Sequence, residues 1–326
     1  MRIIFFGSPR EAAGALGSLI QVGHDVVAVY TRPDRRAGRG RRTTSTPVKV
    51  FAEKRGLPVF TPAGFRGGSG ERDRMAAAKA DVFVVVAYGR ILPADILEVP
   101  PMGVVNVHPS LLPMYRGPSP VVTAILDGQS HTGVTVMLLD EGMDTGPVLA
   151  QSPPIRLERR ERAAELQTRL FKEGAAMLPA VLSGLQDGTV VPKPQDESKA
   201  TVTRLLDRAD GEIDWSLSAE QIDRMVRAYD PWPGTFTTWN GHGLKILDVK
   251  IPGGAGVGGV TESRPDSDSS REPGKVLVVD RRLLVGTGTG HLEITRLQLE
   301  GRQGVPVDDF LRGRADIDGA TLGAGG

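Results

Sequence analysis

The chain has 326 residues, of which 40% are hydrophobic and 24% are charged. Because a domain usually contains about 100–200 residues, this length predicts two domains, each large enough to bury a core. The 40 basic and 39 acidic residues nearly cancel, so the overall charge indicates no particular partner. The absence of cysteine excludes disulfides, thiolate metal sites, iron–sulfur clusters and a cysteine nucleophile.

The sequence also bears on location. The longest uninterrupted apolar stretch, Val82–Tyr88, is far shorter than the roughly 20 residues of a membrane-spanning helix. The apolar run that begins at Ile3 is too short for the core of a signal peptide. We therefore expect no membrane association and a cytoplasmic location, and nothing in the sequence implies an obligate protein partner.

The first half of the chain alternates short apolar runs with segments of helix length. After the run Ile3–Phe6, the sequence Gly7-Ser8-Pro9 predicts a tight turn and a helix that Ser8 caps. Continuous apolar runs are typical of strands buried on both faces of a mostly parallel sheet. The further runs are Asp25–Tyr30, Val82–Val86, Val104–Val107 and Val134–Leu139. The predicted fold class is α/β, with a Rossmann-like sheet.

The pattern changes in the second half. A long helix over residues 161–185 completes the first domain, which we expect to span 1–188. Residues 189–208 lack a steady period and predict an extended linker. Short strand-like runs separated by turns then predict a small, OB-like β-barrel domain over 209–314. These runs are Thr235–Trp239, Leu244–Val249, Lys275–Asp280, Leu283–Gly286 and Leu292–Leu299.

Smaller features complete this second domain. Ser218 and Gln221 have the spacing of a capping box and predict the start of a helix. Pro252–Pro273 is dense in Gly, Ser and Asp, which predicts a loop inserted between two strands. The tail, residues 315–326, is expected to be disordered.

Two polar side chains end one of the predicted buried strands. Asn106 and His108 are two residues apart, so on an extended chain they project from the same face. In open parallel sheets the ligand-binding crevice lies at the carboxyl ends of the strands, which is where this pair falls. Either residue alone could equally end the strand and bond to nearby backbone.

The neighbouring strand also ends in polar sequence, Asp140-Glu141-Gly142-Met143-Asp144-Thr145-Gly146. If the loops meet, Asp144 would orient the His108 imidazole and Asn106 would donate to a developing oxyanion, an arrangement suited to acyl transfer. The sequence has no evident nucleophile elbow, so we expect direct attack by a substrate amine. The alternative role for Asp144 is a loop carboxylate bonded to local amides.

No catalytic metal and no nicotinamide cofactor are predicted. The five histidines, at positions 24, 108, 131, 242 and 291, are scattered, and none lies at helical ligand spacing from another. The chain contains no GxxxxGK[ST] phosphate loop, and Gly7-Ser8-Pro9 does not match the GxGxxG dinucleotide fingerprint.

One segment, Arg32–Arg42, departs from the overall balance of charge, and we call it the basic segment. Arg32 to Arg42 contains six arginines against one aspartate, and extending the window to Arg55 gives nine basic and two acidic residues, a net charge of +7. Guanidinium groups concentrated in a glycine-interrupted loop suit a phosphate backbone. A solvated basic loop without a ligand is the alternative interpretation.

Together these residues resemble the methionyl-tRNA formyltransferase family, from Met1 to about Arg314. Asn106-Val107-His108 with Ser110-Leu111-Leu112-Pro113, and Asp140-x-Gly-x-Asp144-Thr-Gly146, are similar to the two signatures of the 10-formyltetrahydrofolate transferases. The resemblance implies that Asn106, His108 and Asp144 are catalytic and that 10-formyltetrahydrofolate donates the formyl group. The folate-binding residues that it implies are Tyr88, Arg90, Ile91, Leu92, Ser110, Leu111, Leu112, Pro113 and Asp140.

The acceptor needs further features, because relatives that formylate glycinamide ribonucleotide or amino sugars share these signatures. The basic segment resembles the insertion by which the tRNA enzymes hold the acceptor arm, which implies tRNA contacts by Arg36, Arg39, Arg41 and Arg42. The implied function is formyl transfer to the α-amino group of methionine on initiator methionyl-tRNA, for translation initiation. The alternatives are the same chemistry on a nucleotide-linked amino sugar, and a non-catalytic RNA-binding protein on this fold.

Overall fold

The computed structural model describes residues 1–37, 42–65, 70–252 and 272–323. The chain divides into two compact units. The first comprises residues 1–120, 130–157 and 165–204, and the second comprises 121–129, 158–164 and 205–326. The first unit thus continues past residue 188, where the sequence predicts its end.

A seven-stranded sheet forms the centre of the first unit. The strands of this unit are β1 (Arg2–Gly7), β2 (Asp25–Tyr30), β3 (Arg35–Ala37), β4 (Arg42–Thr44), β5 (Val59–Phe60), β6 (Val82–Val86), β7 (Val104–His108), β8 (His131–Thr132), β9 (Thr135–Leu138), β10 (Val148–Gln151) and β11 (Ile155–Arg156). The order in the large sheet is β10-β9-β7-β6-β1-β2-β5, and β3–β4 and β8–β11 form separate pairs.

The sheet is mostly parallel, and the predicted Rossmann-like α/β fold is confirmed. The five strands from β7 to β5 run parallel, whereas β9 is antiparallel to β7, and β10 to β9. All five residues of β6 are buried, as expected of a central strand covered on both faces. Because β9 is antiparallel to β7, the carboxyl end of β7 lies beside the amino end of β9.

The α-helices described between residues 1 and 188 are α1 (Arg10–Gln21), α2 (Pro47–Glu53), α3 (Glu71–Ala77), α4 (Ala94–Leu97), α5 (Pro120–Leu126) and α6 (Ala163–Gln186), of which α5 lies almost wholly in the second unit. Aromatic rings fill part of the core: Phe6 stacks on Tyr30 with ring centroids 5.0 Å apart and meets Tyr88 edge-on at 5.5 Å. Such pairs add about 0.5–1.5 kcal/mol each beyond the burial of their area.

The predicted capping of α1 by Ser8 is wrong. The residue that precedes α1 is Pro9, and no side chain caps the helix. The Ser8 hydroxyl instead accepts a hydrogen bond from the backbone N–H of Arg32, at 3.3 Å, and one from Thr31 Oγ1, at 3.4 Å. Its position between β1 and the end of β2 offers it partners from a distant part of the chain, which local spacing does not reveal.

The second unit contains an antiparallel sheet. Its strands are β12 (Thr235–Trp239), β13 (His242–Lys250), β14 (Val276–Val279), β15 (Arg282–Gly286), β16 (His291–Leu299) and β17 (Val305–Pro306), and its helices are α7 (Ala219–Ala228) and α8 (Val307–Leu311). The order is β12-β13-β16-β15-β14, with β17 on β16. Ser218 and Gln221 form the predicted capping box at the start of α7. Most of the predicted insertion over 252–273 lies outside the described residues.

The predicted disorder of the tail is wrong for residues 315–323, which are ordered. Ile317 and Leu322 are buried in the core of the second unit. The N–H of Leu322 donates to Gly274 O at 2.8 Å, just before β14, and the N–H of Gly323 donates to Thr238 O at 3.0 Å, in β12. Residues 319–323 therefore connect the two edge strands of the sheet, which satisfies backbone groups that would otherwise face solvent.

The predicted linker, residues 189–208, is extended, yet much of it is paired with the first unit. Lys193 exchanges two backbone hydrogen bonds with Val148, each 2.8 Å long. Val202 forms a parallel bridge with Arg116, where the N–H of Arg116 donates to Thr201 O at 2.9 Å. We call residues 193–203 the return segment.

Within the described part of the chain, no helix combines the length and the apolar character that a bilayer crossing requires.

The packing of the tail makes a stability prediction. Leu322→Ala should lower the free energy of unfolding by about 2–5 kcal/mol, because it removes a side chain that is only 2% exposed and leaves a cavity. Leu205→Ala makes the same chemical change at a position 75% exposed and should alter it by less than about 0.5 kcal/mol. Chemical denaturation followed by tryptophan fluorescence measures both, and equal effects would contradict the packed tail.

Candidate active site

Strand β7 presents Asn106 and His108 at the carboxyl edge of the sheet. Asn106 lies opposite Val85 of parallel β6 and Met137 of antiparallel β9. The residue is half-buried, and among the described residues none is hydrogen bonded to its side chain. The Asn106 amide, at the edge where ligands bind in such sheets, is therefore available to a substrate atom.

His108 is nearly enclosed, with 4% of its surface exposed. Its Nε2 lies 2.9 Å from Tyr115 O, and its Nδ1 lies 3.5 Å from Asp144 Oδ2. A carbonyl oxygen only accepts, so Nε2 carries a hydrogen, and the neutral imidazole leaves Nδ1 free to take a proton beside the carboxylate.

Burial lowers the pKa of His108 below its ordinary value of 6.5, because desolvation disfavours the imidazolium. The Asp144 carboxylate and the Tyr115 carbonyl act in the opposite direction. The imidazole is thus neutral at neutral pH and has a carboxylate in place to stabilise the charge when a proton arrives.

The loop after β7 and the loop after β9, whose contact the predicted site requires, do lie together. Asp144 Oδ2 accepts a hydrogen bond of 2.8 Å from the backbone N–H of Gly117, across from His108. Asp144 has a positive φ of 55°, a left-handed conformation that costs an L-residue roughly 1–2 kcal/mol. Contacts from other segments are needed to hold the carboxylate there.

The loop after His108 is fixed by side chains that the sequence analysis did not identify. Ser110 Oγ donates to Met114 O at 2.7 Å, and Thr135 Oγ1 donates to Ser110 O at 2.7 Å while accepting from the N–H of Leu112 at 3.0 Å. Gln151 Nε2 donates to Leu112 O at 2.7 Å. The peptide bond between Leu112 and Pro113 is cis. Leu111 is half-buried.

The structure separates the other predicted folate-binding residues by exposure. Ile91 is 84% exposed, whereas Leu92 is buried and Tyr88 is 1% exposed within the aromatic core. Burial raises the pKa of Tyr88 to about 12, and its buried hydroxyl has no hydrogen-bond partner among the described residues. The Arg90 guanidinium donates to Ala63 O. The ring of Tyr88 is therefore part of the hydrophobic core.

Asp140 lies within the same loop as Asp144. Its Oδ1 accepts from the N–H of Gly142 at 3.0 Å and from Thr145 Oγ1 at 2.6 Å. The carboxylate thus closes the loop on itself, which is the local role that the sequence analysis had considered for Asp144.

The basic segment is only partly described. Arg39 and Arg41 lie outside the described residues, while Arg36 and Arg42 belong to the hairpin strands β3 and β4. Before the hairpin, burial and the nearby charges of Arg35 and Arg90 lower the pKa of Arg32. Asp34 Oδ2 lies 2.7 Å from Lys49 Nζ, so the acidic residue of this segment forms its ion pair with a lysine outside the segment.

The sequence analysis also missed the contribution of the return segment. Gln195 contacts the Asp144 loop and Arg116. These partners are 49–79 residues away along the chain, and no periodicity connects them. Among the described residues, no group of three or more His, Cys, Asp or Glu side chains is arranged to hold a metal ion.

Comparison with known proteins agrees with this geometry. The family model described as "Formyl transferase" matches residues 1–182, and "Formyl transferase, C-terminal domain" matches 205–315. A methionyl-tRNA formyltransferase of Roseiflexus castenholzii is 45% identical over 324 residues, which is 99% of both chains. One of Chloroflexus aurantiacus is 44% identical over 99% of this chain and 100% of its own length.

Solved structures share the fold at low identity. An N-formyltransferase of Helicobacter canadensis, in complex with folinic acid and dTDP-3-aminofucose, superposes with a TM-score of 0.64 at 15% identity, covering 90% of this chain and 98% of that one. HypX of Aquifex aeolicus, in complex with tetrahydrofolic acid, superposes with a TM-score of 0.61 at 19% identity, covering 97% of this chain and 47% of that one. On the strength of the two family matches and the full-length relatives, the chain belongs to the methionyl-tRNA formyltransferase family.

Proposed function

We propose that the chain transfers the formyl group of 10-formyltetrahydrofolate to the α-amino group of methionine on initiator methionyl-tRNA. The observation that carries the proposal is the juxtaposition at the end of β7: an unbonded Asn106 amide beside a buried His108 that faces Asp144 at 3.5 Å. Membership of the family and full-length relatives that carry this name support the same reaction.

The nucleophile is the substrate's own amine, so the group that the protein must supply is a proton acceptor. The α-amino group titrates near neutrality, so its neutral form is abundant and attacks the formyl carbon directly. As the new C–N bond forms, the nitrogen becomes positively charged and must lose a proton. His108 accepts that proton at Nδ1, where the Asp144 carboxylate stabilises the imidazolium. It then donates the proton to the folate nitrogen as the bond between that nitrogen and the formyl carbon breaks, which releases tetrahydrofolate.

The carbonyl oxygen of the formyl group becomes negatively charged during the attack. Asn106 donates its side-chain N–H to this oxygen, and the protonated His108 adds a second favourable charge. An amide already engaged with the protein would have to break a bond before it could donate. That the Asn106 side chain lacks such a bond is therefore what an oxyanion donor requires.

Folate binding rests on the loops around this pair. The Ser110–Pro113 loop is anchored by Thr135 and Gln151, so it offers a preformed wall with little left to order on binding. Ile91 is exposed, whereas the next residue, Leu92, is buried. The Ile91 side chain therefore offers apolar surface for a ring of the folate. In this assignment Tyr88 supports the wall from within the core.

The acceptor is assigned to tRNA because of the basic segment. Burial and repulsion by the charges of Arg35 and Arg90 lower the pKa of Arg32, and no described carboxylate pairs with any of the three. A polyanion removes that repulsion and releases its own counterions, which favours binding. Initiator tRNA is a substrate of translation, so we place the protein in the cytoplasm.

The function is tested by offering three acceptors in one assay with 10-formyltetrahydrofolate: methionyl initiator tRNA, methionyl elongator tRNA and a nucleotide-linked amino sugar. We expect transfer to the initiator tRNA. Transfer to the sugar alone would retain the reaction and reject the acceptor, and no transfer to any of them would favour a non-catalytic RNA-binding protein.

Asn106→Ala should lower kcat about 100- to 1000-fold, the usual cost of losing one oxyanion donor. Its KM for either substrate should change little, since the bond forms fully only in the transition state. Steady-state kinetics at saturating folate provide the measurement. A loss of less than about threefold would rule out the role of Asn106, because a single neutral hydrogen bond already contributes that much.

Asp144→Asn should lower kcat by about 100-fold or more, because general acid–base catalysis contributes at least that much. The Asp144 charge raises the pKa of His108, so its removal should shift the acidic limb of the pH profile of kcat to lower pH. Measuring kcat with bound substrates between pH 5 and 9 tests the shift. A limb that stays in place would separate Asp144 from His108.

Arg39→Ala should weaken tRNA use and make its dependence on salt less steep. Each lost phosphate contact reduces the slope of log affinity against log salt by roughly 0.9. Lys172→Ala, an exposed position on α6, removes one positive charge elsewhere and should leave the slope unchanged. If KM for tRNA responds equally to salt in the two variants, the basic segment does not contact tRNA.

A further inference from the structure

The return segment lies against both loops of the candidate site. Its backbone bridges to Val148 at one end and to Arg116 at the other. The N–H of Thr201 donates to Pro113 O at 3.2 Å, and the N–H of Tyr115 donates to Thr201 Oγ1 at 2.7 Å. The segment therefore supports the loop that provides the carbonyl partner of His108.

Gln195 makes the connection to Asp144 through its side-chain amide. Its Nε2 donates to Asp144 O at 2.8 Å and to Gly146 O at 2.7 Å, so both amide hydrogens are used. Its Oε1 accepts from Arg116 Nε at 3.0 Å and Nη2 at 2.9 Å. Arginine only donates and a carbonyl only accepts, so this set of partners allows a single orientation of the amide.

Arg116 in turn is fixed by an ion pair. Its side chain is 5% exposed, and its Nη1 and Nη2 donate to Glu197 at 2.9 and 2.6 Å. A buried guanidinium with a forked set of partners has little freedom to rotate. Glu197 and Arg116 therefore hold the oxygen of Gln195, which leaves the amide nitrogen directed at the Asp144 loop.

Asp144 is a residue that needs such support. Its φ of 55° is unfavourable for an L-residue, and its carboxylate has a defined task, to face His108 Nδ1. One hydrogen bond, from the N–H of Gly117, orients the carboxylate itself. The bonds from Gln195 hold the backbone of the same residue and of Gly146 just beyond it.

We propose that Gln195 is a positioning residue for formyl transfer: held by Arg116, it fixes the Asp144 loop so that the carboxylate faces His108. This inference rests on the proposed function. Gln195 touches no reacting atom, and it acts only through the Asp144 loop. Without it, two carbonyl oxygens lose their donors, the loop relaxes from its left-handed turn, and His108 loses the nearby negative charge.

Gln195→Met tests this role, because methionine has a similar length, carries no charge and offers no amide. We expect kcat to fall about 10- to 100-fold, the effect of a displacement of about 1 Å in a catalytic group, with KM for both substrates unchanged. Asp196→Asn is the matched control, since among the described residues the Asp196 side chain bonds to Ser198 and Lys199 alone. It should retain the activity of the parent chain.

A second readout separates positioning from folding. Asp144 raises the pKa of His108, so the His108 pKa measured by NMR should be lower in Gln195→Met than in the parent chain. Among the described residues, Asp144 is the charge that acts on His108, while Asp140, Asp144 and Glu197 act on Arg116, and Gln195→Met changes none of these charges. If Gln195→Met does not fold, Arg116→Lys takes its place in the test. Lysine cannot form the forked set of bonds, so this variant should also lower the pKa of His108.

The proposal is overturned if His108 titrates identically in the parent chain, Gln195→Met and Arg116→Lys, or if kcat of folded Gln195→Met equals that of Asp196→Asn. Failure of the proposed function would look different. In that case the parent chain itself would not transfer formyl groups, while the NMR titration would still report whether Gln195 places Asp144 beside His108.

Discussion

The interaction on which the site depends is the pairing of a buried imidazole with a carboxylate from another loop. His108 is held by a carbonyl at Nε2 and a carboxylate near Nδ1, in surroundings from which water is nearly excluded. Burial alone would make the imidazole a poor proton acceptor, since it disfavours the charged form. The Asp144 charge offsets this cost only if its distance to the ring is kept.

Keeping that distance requires contacts that reach far along the chain. Asp144 follows β9 and His108 ends β7, but these strands are antiparallel, so the carboxyl end of β9 lies beside the amino end of β7 and the pairing alone does not bring Asp144 to His108. Gly117 and Gln195 then hold the carboxylate and the backbone of Asp144. Arranging an active-site loop in this way, by packing it against chain that returns from elsewhere, limits the motion of a residue that is itself strained.

The sequence predicts those parts of the structure that depend on local pattern. A spacing of two places Asn106 and His108 on one face, continuous apolar runs locate β2 and β6 at the residues observed, and a short strand-like run bounded by turns locates β12. The capping box at Ser218 depends on residues three apart, and it is present.

Features that depend on distant partners are not predictable in this way. Ser8 has the type and spacing of a cap, yet Thr31 and Arg32 offer it other bonds. The tail is rich in Gly and Ala, but Leu322 finds a core, and Gln195 looks like a linker residue until Arg116 is placed beside it. The conformation of these segments depends on partners distant in sequence, which are 23 and 24 residues away for Ser8 and 79 residues away for Gln195.

The distribution of arginine suggests how one protein of nearly zero net charge presents a site for a polyanion. Several arginines outside the basic segment are neutralised in place: Arg162 pairs with Asp230 and Asp248, each at 2.9 Å, and Arg116 with Glu197. Arg32, Arg35 and Arg90 have no described carboxylate partner, and burial together with the charges of Arg35 and Arg90 lowers the pKa of Arg32. A guanidinium already paired with a carboxylate presents little net charge, whereas one without such a partner remains available to a polyanion, so the basic segment is where we propose that a phosphate backbone binds.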